Sequence, residues 1–496
     1  MIQINDFSAG ANNYIDRAKL GEKVAVMMRD CIPETGSLES GYNDLPVPAE
    51  SPVDLGHWGD SDRSVAKQFG RTYWSNNLAQ SAPYYGGDHY ALGVPYPDFP
   101  PELSTTDDEG SERKGRYRYC MTYVRDGYES APGPVGDGYF SSIELAEGKA
   151  VRYLAGAPPE GITAVNVYRT IAEGAEFYLL ESLTPEEAAA LRIDKLADND
   201  LLMRNVLESL YYLPPPDGGK YLTEQSETFF LAVGDKLYYS EVSNCHAWNP
   251  SSWISFEDDI TGIVEEFQGI LVLTANRVYR VTGNDVLTIA KQEIPTRQGC
   301  TNWRSCATLS NAPIWLSNDG LCMWDGQSVK LLSFQRYKID NTPRFAVSAN
   351  DCYWLFGDRG VIVYDLRSGG IFYSLSTLAD YAWYDVDKDT LYLRREGVYY
   401  RQGASRTRRT GFYRSALLGG NLPLTQMRKL RISSSGMVEV TLRNHLNKVV
   451  FKGTVPGGAT REIWLPSGKW TRGCDIEVSF TGTLREIALT PVQAMA

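Results

Sequence analysis

Residues 357–370, GDRGVIVYDLRSGG, hold the phrase on which the fold turns: a Gly-Asp turn, a short apolar-aromatic run, then a second polar turn. The space between the turns fits a strand of four or five residues and is too short for an ordinary helix with its 3.6-residue period. Outward from it the phrase recurs. Gly234-Asp235 precedes LYYSE, Ala275-Asn276 precedes VYRVTGND, Asn318-Asp319-Gly320 precedes LCMWDG, and Arg395-Glu396-Gly397 precedes VYYRQG. The copies lie about 40 residues apart, the length of one four-stranded propeller blade. ITGIVEEFQGILVLT (260–274), SCATLSNAPIWLS (305–317), DCYWLFG (351–357) and DTLYLRR (389–395) supply further strands between copies. The expectation is a mainly β chain with a β-propeller over residues 217–408, whose ring closure pairs edges that would otherwise stay open.

On either side the pattern changes. Residues 1–110 read as an N-terminal segment with the first propeller strands, in AKQFGRTYWSNN (66–77) and YYGGDHYALGVPYPDFPP (84–101). The polar stretch 101–115, PELSTTDDEGSERKG, reads as a linker. Residues 111–216 read as an inserted β-sandwich, with alternating apolar positions in ITAVNVYRTIAEGAEFYLLESL (162–183). Thr184-Pro185-Glu186-Glu187 then has the cap, the proline and the first-turn acids of a helix start, so EEAAALRIDKLADNDLLMRNVLESL (186–210) is the helical expectation. Over 409–496 apolar Val438, Val440 and Leu442 alternate with Glu439, Thr441 and Arg443, the pattern of a sheet covered on one face. That predicts a second, C-terminal sandwich.

Composition agrees. The 496 residues are 43% hydrophobic and 22% charged, which excludes disordered and collagen-like classes. Thirty-one Tyr, eleven Trp, 45 Gly and 25 Pro suit short strands joined by many turns. No window holds the ~20 apolar residues of a membrane-spanning helix, and the opening residues lack an export leader's charge and hydropathy pattern. A net charge of −12 argues against gripping nucleic acid by neutralising phosphates over a large surface. Eight cysteines without CxxC predict reduced thiols. The four histidines, at 57, 89, 246 and 445, lack metal-ligand spacing.

Chemical motifs are sparse. SNDGLCMW (317–324) comes near the Asp box of sialidase-type propellers, with its Gly one place early; such a box shapes a blade turn and does no catalysis. A glycosidase needs two carboxylates at a set separation, and 61 acidic residues nominate no pair. Cys245 and His246 are adjacent, so on a strand they point to opposite faces and make a poor thiol–imidazole pair. GxSxG, HExxH and GxxxxGK[ST] are absent, and the Gly86-Gly87 and Gly457-Gly458 pairs read as turns. No catalytic, cofactor-binding or metal-ligating residue is expected, and the chain is not read as an enzyme. Arg401, Arg406, Arg408 and Arg409 form one basic cluster, a solvated linker or a contact for DNA phosphate or an acidic partner. Tyr84, Tyr85, Tyr90, Tyr96, Tyr211 and Tyr212 are candidates for a subunit interface or for strand packing.

Two stretches, GILVLTANRVYRVTGND (269–285) and IPTRQGCTNWRSCATLSNAPIWLSNDGLCMWDG (294–326), resemble consecutive blades of the tail nozzle, or tail hub, proteins of short-tailed bacteriophages. YRYCMTYVRDGYESAPGP (117–134), VNVYRT (165–170), FYLLESL (177–183) and PPPDG (214–218) resemble the fibronectin-like insertion of the same proteins, and DFSAGANNYIDR (6–17) resembles the opening of phage tail subunits. The resemblance implies a homo-oligomer, a hexamer, below the portal and its adaptor ring. It implies fibre, spike or plug proteins as further partners, and viral DNA passing without sequence-specific binding. The location implied is the virion tail, assembled in the bacterial host cytoplasm. An acidic wall suits sliding DNA, since like charge prevents sticking; six copies would carry roughly −72. A carbohydrate-binding or glycoside-hydrolysing propeller, suggested by Trp and Tyr richness and the imperfect Asp box, is the alternative.

Overall fold

The computed structural model describes residues 1–21, 23–47, 63–77, 91–107, 112–133, 138–333, 337–374, 378–419, 425–466 and 470–493. Among them the chain is mainly β. Its α-helices there are the single turns Pro185–Ala188 and Asp198–Leu201, and no helix is long and apolar enough to cross a membrane. The chain divides into two units, one of Met1–Ser61, Val264–Tyr279 and Glu293–Ala496, the other of Asp62–Ile263 and Arg280–Gln292.

The repeat phrases become a series of sheets made of consecutive strands. Lys220–Gln225, Thr228–Val233, Lys236–Tyr239 and Trp253–Ser255 form the first. Ile260–Glu266, Gly269–Thr274, Val278–Thr282 and Ala290–Ile294 form the second, and Ala307–Leu309, Ala312–Ser317, Gly320–Trp324 and Val329–Leu331 the third. Pro343–Ala349, Cys352–Gly357, Val361–Asp365 and Gly370–Ser374 follow as neighbours within a longer sheet. The last set, Tyr381–Asp385, Thr390–Arg395 and Val398–Arg401, takes its fourth strand, Leu45–Pro46, from near the chain's start.

Turn chemistry explains the register. Ser226-Glu227, Ser310-Asn311, Asn350-Asp351 and Glu396-Gly397 each join two antiparallel strands with positive φ at both central residues, the twist that two-residue hairpins favour. Cross-strand aromatic pairs then hold neighbouring strands together. Phe345 stacks on Phe356 with centroids 4.4 Å apart, and Trp383 on Tyr392 at 4.6 Å.

The first unit also holds the C-terminal strands. Val438, Val440 and Leu442 are buried while Glu439 is exposed, following the alternation in the sequence. N-terminal strands share these sheets: Ile2–Ile4 and Ser37–Ser40 pair with Thr483–Gln493, and Ala25–Arg29 pairs with Gly411–Ser415. These three N-terminal strands thus pair with the far end of the sequence, a partnership that no local pattern announces.

In the second unit, Gly115–Arg125 lies at the centre of a sheet with Tyr128–Glu129, Ser141–Leu145, Ala164–Arg169 and Tyr178–Leu183. Lys149–Leu154 lies between Glu102–Asp107 and Arg192–Asp194 in a smaller sheet, and residues of both sheets, among them Tyr117, Tyr119, Val151, Tyr153 and Val167, form one core. Two expectations need correction. The stretch read as a linker contains the edge strand Glu102–Asp107, polar because it is largely exposed. The helix begins at Thr184 with its capping box, since the Thr184 hydroxyl accepts from the Glu187 N–H at 3.3 Å and the Glu187 carboxylate accepts from the Thr184 N–H at 2.9 Å. It stops after one turn, because Arg192–Asp194 is taken up as a strand and Asp194 becomes the buried counter-ion of Arg169, 3.0 Å away. Residues 66–77 fall largely in a hairpin, Arg63–Gln68 with Arg71–Asn76.

Candidate functional site

The four arginines do not form one accessible patch. Arg401 ends the strand Val398–Arg401 and is exposed, as is Arg406 in the loop that follows. That loop is laced to residues 41–43: the Ser405 N–H donates to the Asn43 carbonyl at 2.9 Å, the Asn43 N–H to the Thr407 carbonyl at 2.9 Å, and the Arg409 N–H to the Gly41 carbonyl at 2.8 Å. The lacing turns the next two guanidiniums inward. Arg408 lies 4.5 Å over the Tyr42 ring, donates to the Ser40 carbonyl at 3.1 Å and pairs with Glu39 at 3.6 Å. Arg409 is buried and paired with Asp44, which also holds Arg395 and accepts from the Gly403 N–H at 3.1 Å. Burial lowers the Arg409 pKa, and the Asp44 charge opposes that shift. Arg408 and Arg409 are therefore fasteners of the 39–44 segment, and a phosphate or acidic partner reaching this loop would meet Arg401 and Arg406.

The near Asp box is a turn device. The Ser317 hydroxyl accepts from the Asp319 N–H at 3.2 Å and lies 2.7 Å from the Gln298 side-chain oxygen, while the Gln298 amide donates to the Asp319 carboxylate at 2.7 Å. The Asp319 carboxylate is occupied in holding two loops, so its role is structural.

His246 is buried and has partners on both ring nitrogens. The Gly93 N–H donates to Nδ1 at 3.0 Å, which leaves the proton on Nε2, 3.4 Å from the Tyr73 hydroxyl. Burial first, then the charges of Arg125 and Arg71, lowers its pKa to about 4. Cys245 beside it is buried in a cluster with Tyr73, Phe229 and Trp248, and burial pushes its thiol up to about 11. A neutral imidazole beside a protonated thiol has none of the polarity of a nucleophilic pair.

Sequence reading missed a charged cluster joining the two sheets of the second unit. Arg169 is fully buried between Asp194 at 3.0 Å and Asp198 at 2.7 Å; Arg113 reaches Asp194 at 2.9 Å, and the Tyr119 hydroxyl donates to Asp194 at 2.6 Å. Its bonded partners are up to 81 positions apart, with no spacing motif to find them by. The groups neutralise one another inside a packed core, which makes the cluster a staple for the insertion. Among the described residues no group of His, Cys, Asp and Glu could hold a metal ion. Tyr96 and Tyr212 are half-buried and Tyr211 is exposed; Tyr84, Tyr85, Tyr90, His57, His89 and Gly86-Gly87 lie outside the described residues.

No family model and no curated protein matches the chain. Among solved structures it is similar to PorZ, a surface component of the type-IX secretion system of Porphyromonas gingivalis, at 10% identity and a TM-score of 0.28, covering 90% of this chain and 71% of that one. AztD from Citrobacter koseri matches at 9% identity and a TM-score of 0.27 over 60% of this chain and 94% of its own. BamB from Moraxella catarrhalis matches at 11% identity and 0.25 over 52% and 82%. Likenesses of this strength leave the function to be argued from the chain itself.

Proposed function

We propose that the chain is a structural virion protein: one subunit of the ring-shaped tail nozzle, or tail hub, of a short-tailed bacteriophage. In this reading the ring lies below the portal and adaptor, retains the packaged DNA, and conducts it during ejection. The sheets between Lys220 and Arg401 are blades of a β-propeller whose last blade is completed by Leu45–Pro46. The strands of 102–194 are the fibronectin-like insertion, and those after Gly411 a C-terminal sandwich. The observation that carries the reading is the coincidence of repeat and phrase. The residues resembling tail hub blades, 269–285 and 294–326, supply two strands of one four-strand set and three of the next in the sheet series. A net charge of −12 supports it further, because a conduit must not bind the polymer it passes.

Native mass spectrometry of the purified chain, alone and with a candidate adaptor ring, tests the proposal. The expected result is an assembly of about six copies, the stoichiometry implied by the resemblance and one that closes by cyclic symmetry. A chain that stays monomeric with and without the adaptor, and that binds glycans on an array, would replace this reading with the carbohydrate-binding propeller.

A further inference from the structure

Between the strands Ala290–Ile294 and Ala307–Leu309 the chain passes through Cys300 and Cys306, whose sulfurs lie 3.7 Å apart, in van der Waals contact. The backbone holds them there from several sides. The Cys300 N–H donates to the Thr274 carbonyl at 2.9 Å and the Thr301 N–H to the Leu316 carbonyl at 2.9 Å. Gly299 runs so close to residues 274–276 that an added Cβ would lie 2.2 Å from the Thr274 carbonyl oxygen. Trp303–Ser305 forms a single 3-10 turn, capped by the Asn302 side chain, which accepts from the Arg304 N–H at 3.0 Å, and closed by the Cys306 N–H on the Trp303 carbonyl at 2.9 Å. The Ser305 hydroxyl donates to the Asn302 carbonyl at 2.6 Å and accepts from the Leu316 N–H at 2.9 Å, and the Tyr353 hydroxyl donates to the Ser305 carbonyl.

The two thiols differ in access. Cys300 is fully buried and Cys306 half-buried, so Cys306 is the sulfur that a small reagent meets first. A third sulfur, Cys322, belongs to the same apolar cluster but is turned to its own hairpin, where its thiol donates to the Ser317 hydroxyl at 3.3 Å. Two sulfurs prepositioned on a pinned loop, one of them reachable, are what exchange with an outside disulfide requires.

We propose that Cys300 and Cys306 are a redox-active dithiol, closing to a disulfide by exchange with a small disulfide such as oxidised glutathione and reopening with an excess of small thiol. The Cys306 thiolate attacks one sulfur of the reagent, expels one thiolate and leaves a mixed disulfide; Cys300 then attacks Cys306 Sγ and expels the second. Two protein thiols are oxidised, one small disulfide is reduced to two thiols, and the protons of the two cysteines pass to those products. The first step is slow, because the hydrogen bond with Cys300, and burial after it, hold the proton on Cys306. The second joins sulfurs already in contact, so the mixed disulfide does not accumulate. The bond is open where reduced thiols prevail and closed elsewhere, pinning the segment that leads from one sheet of the series to the next. It needs no partner copy, and the ring reading above neither supports nor requires it.

The test incubates the folded chain with millimolar oxidised glutathione at pH 8, denatures it in an alkylating agent, and reads the tryptic peptides by mass spectrometry. Cleavage after Arg297, Arg304 and Lys330 places Cys300 in residues 298–304 and Cys306 in residues 305–330. The expected result is these two peptides joined, with six alkylated cysteines in place of eight, and all eight recovered after dithiothreitol. Cys322 shares the longer peptide, so fragmentation locates the bond. Cys300→Ser should trap a glutathionyl group on Cys306, and Cys306→Ser should yield neither the bond nor the adduct. Eight alkylated cysteines in the treated wild type, a lasting glutathione adduct on its Cys306, or a bond to Cys322 would each overturn the proposal.

Discussion

Acid should weaken the Asp62–Ile263 unit through one side chain, His246. Its folded-state pKa is lowered from 6.5 to about 4, because a charged imidazole would be desolvated and would face Arg125 and Arg71. Above pH 6.5 neither state binds the proton and the group contributes nothing to the pH dependence. Between 6.5 and 4 the unfolded chain takes up a proton that the folded chain refuses, so stability falls with pH, by at most about 1.4 kcal/mol per pH unit. Over the window the loss is about 3 kcal/mol, a large share of an ordinary domain's stability. Urea unfolding followed by tryptophan fluorescence at several pH values from 7 to 4 measures it, with His246→Asn as the control that cannot titrate. The wild type should lose stability more steeply than the variant in that window. Parallel curves would refute the assignment of His246 as a neutral, buried group.

Asp194→Ala should destabilise the insertion by about 3–5 kcal/mol, because it leaves the Arg113 and Arg169 guanidiniums with Asp198 alone to balance them; calorimetry of the intact chain reads it. Trp315→Ala should cost about 3–5 kcal/mol, since the ring is fully buried and its indole N–H donates to the Gln298 carbonyl at 2.8 Å; a smaller loss in urea unfolding would mean the site collapses around the gap. Arg401→Glu and Arg406→Glu should each change stability by less than about 0.5 kcal/mol, whereas Arg409→Ala should cost more because it removes a buried guanidinium and leaves the Asp44 carboxylate with Arg395 as its remaining ion-pair partner; equal losses on thermal melting would contradict the inward placement of Arg409. A thiol reagent should label the folded protein slowly at pH 8, since seven of the eight cysteines are buried and burial pushes Cys31, Cys322, Cys352 and Cys474 up to about 12; prompt labelling of more than Cys306 would contradict this.

The β class and the spacing of the sheet series were legible because both are local. Alternating burial along Val438–Asn444 and apolar runs such as Gly269–Thr274 sit in the sequence as they sit in the sheets. Turns were legible where glycine marked them and hidden where it did not: Ser226-Glu227 and Asn350-Asp351 reach positive φ without it. What stayed hidden depends on distant partners. Nothing near Leu45 announces that it pairs with Arg401, and nothing near Thr184 says that its helix will end so that Asp194 can meet Arg169. The arginine cluster shows the same limit, since four neighbouring cations look alike in sequence until Asp44 and Glu39 claim two of them.

The central claim is that the chain builds a conduit. Electron microscopy of the assembled particle viewed down its axis tests it most directly. The account predicts a closed ring of about six subunits around an axial opening wide enough for a DNA duplex, with the cyclic symmetry that a repeated head-to-tail contact produces. A well-resolved single copy, or an assembly with no axial opening, would contradict it.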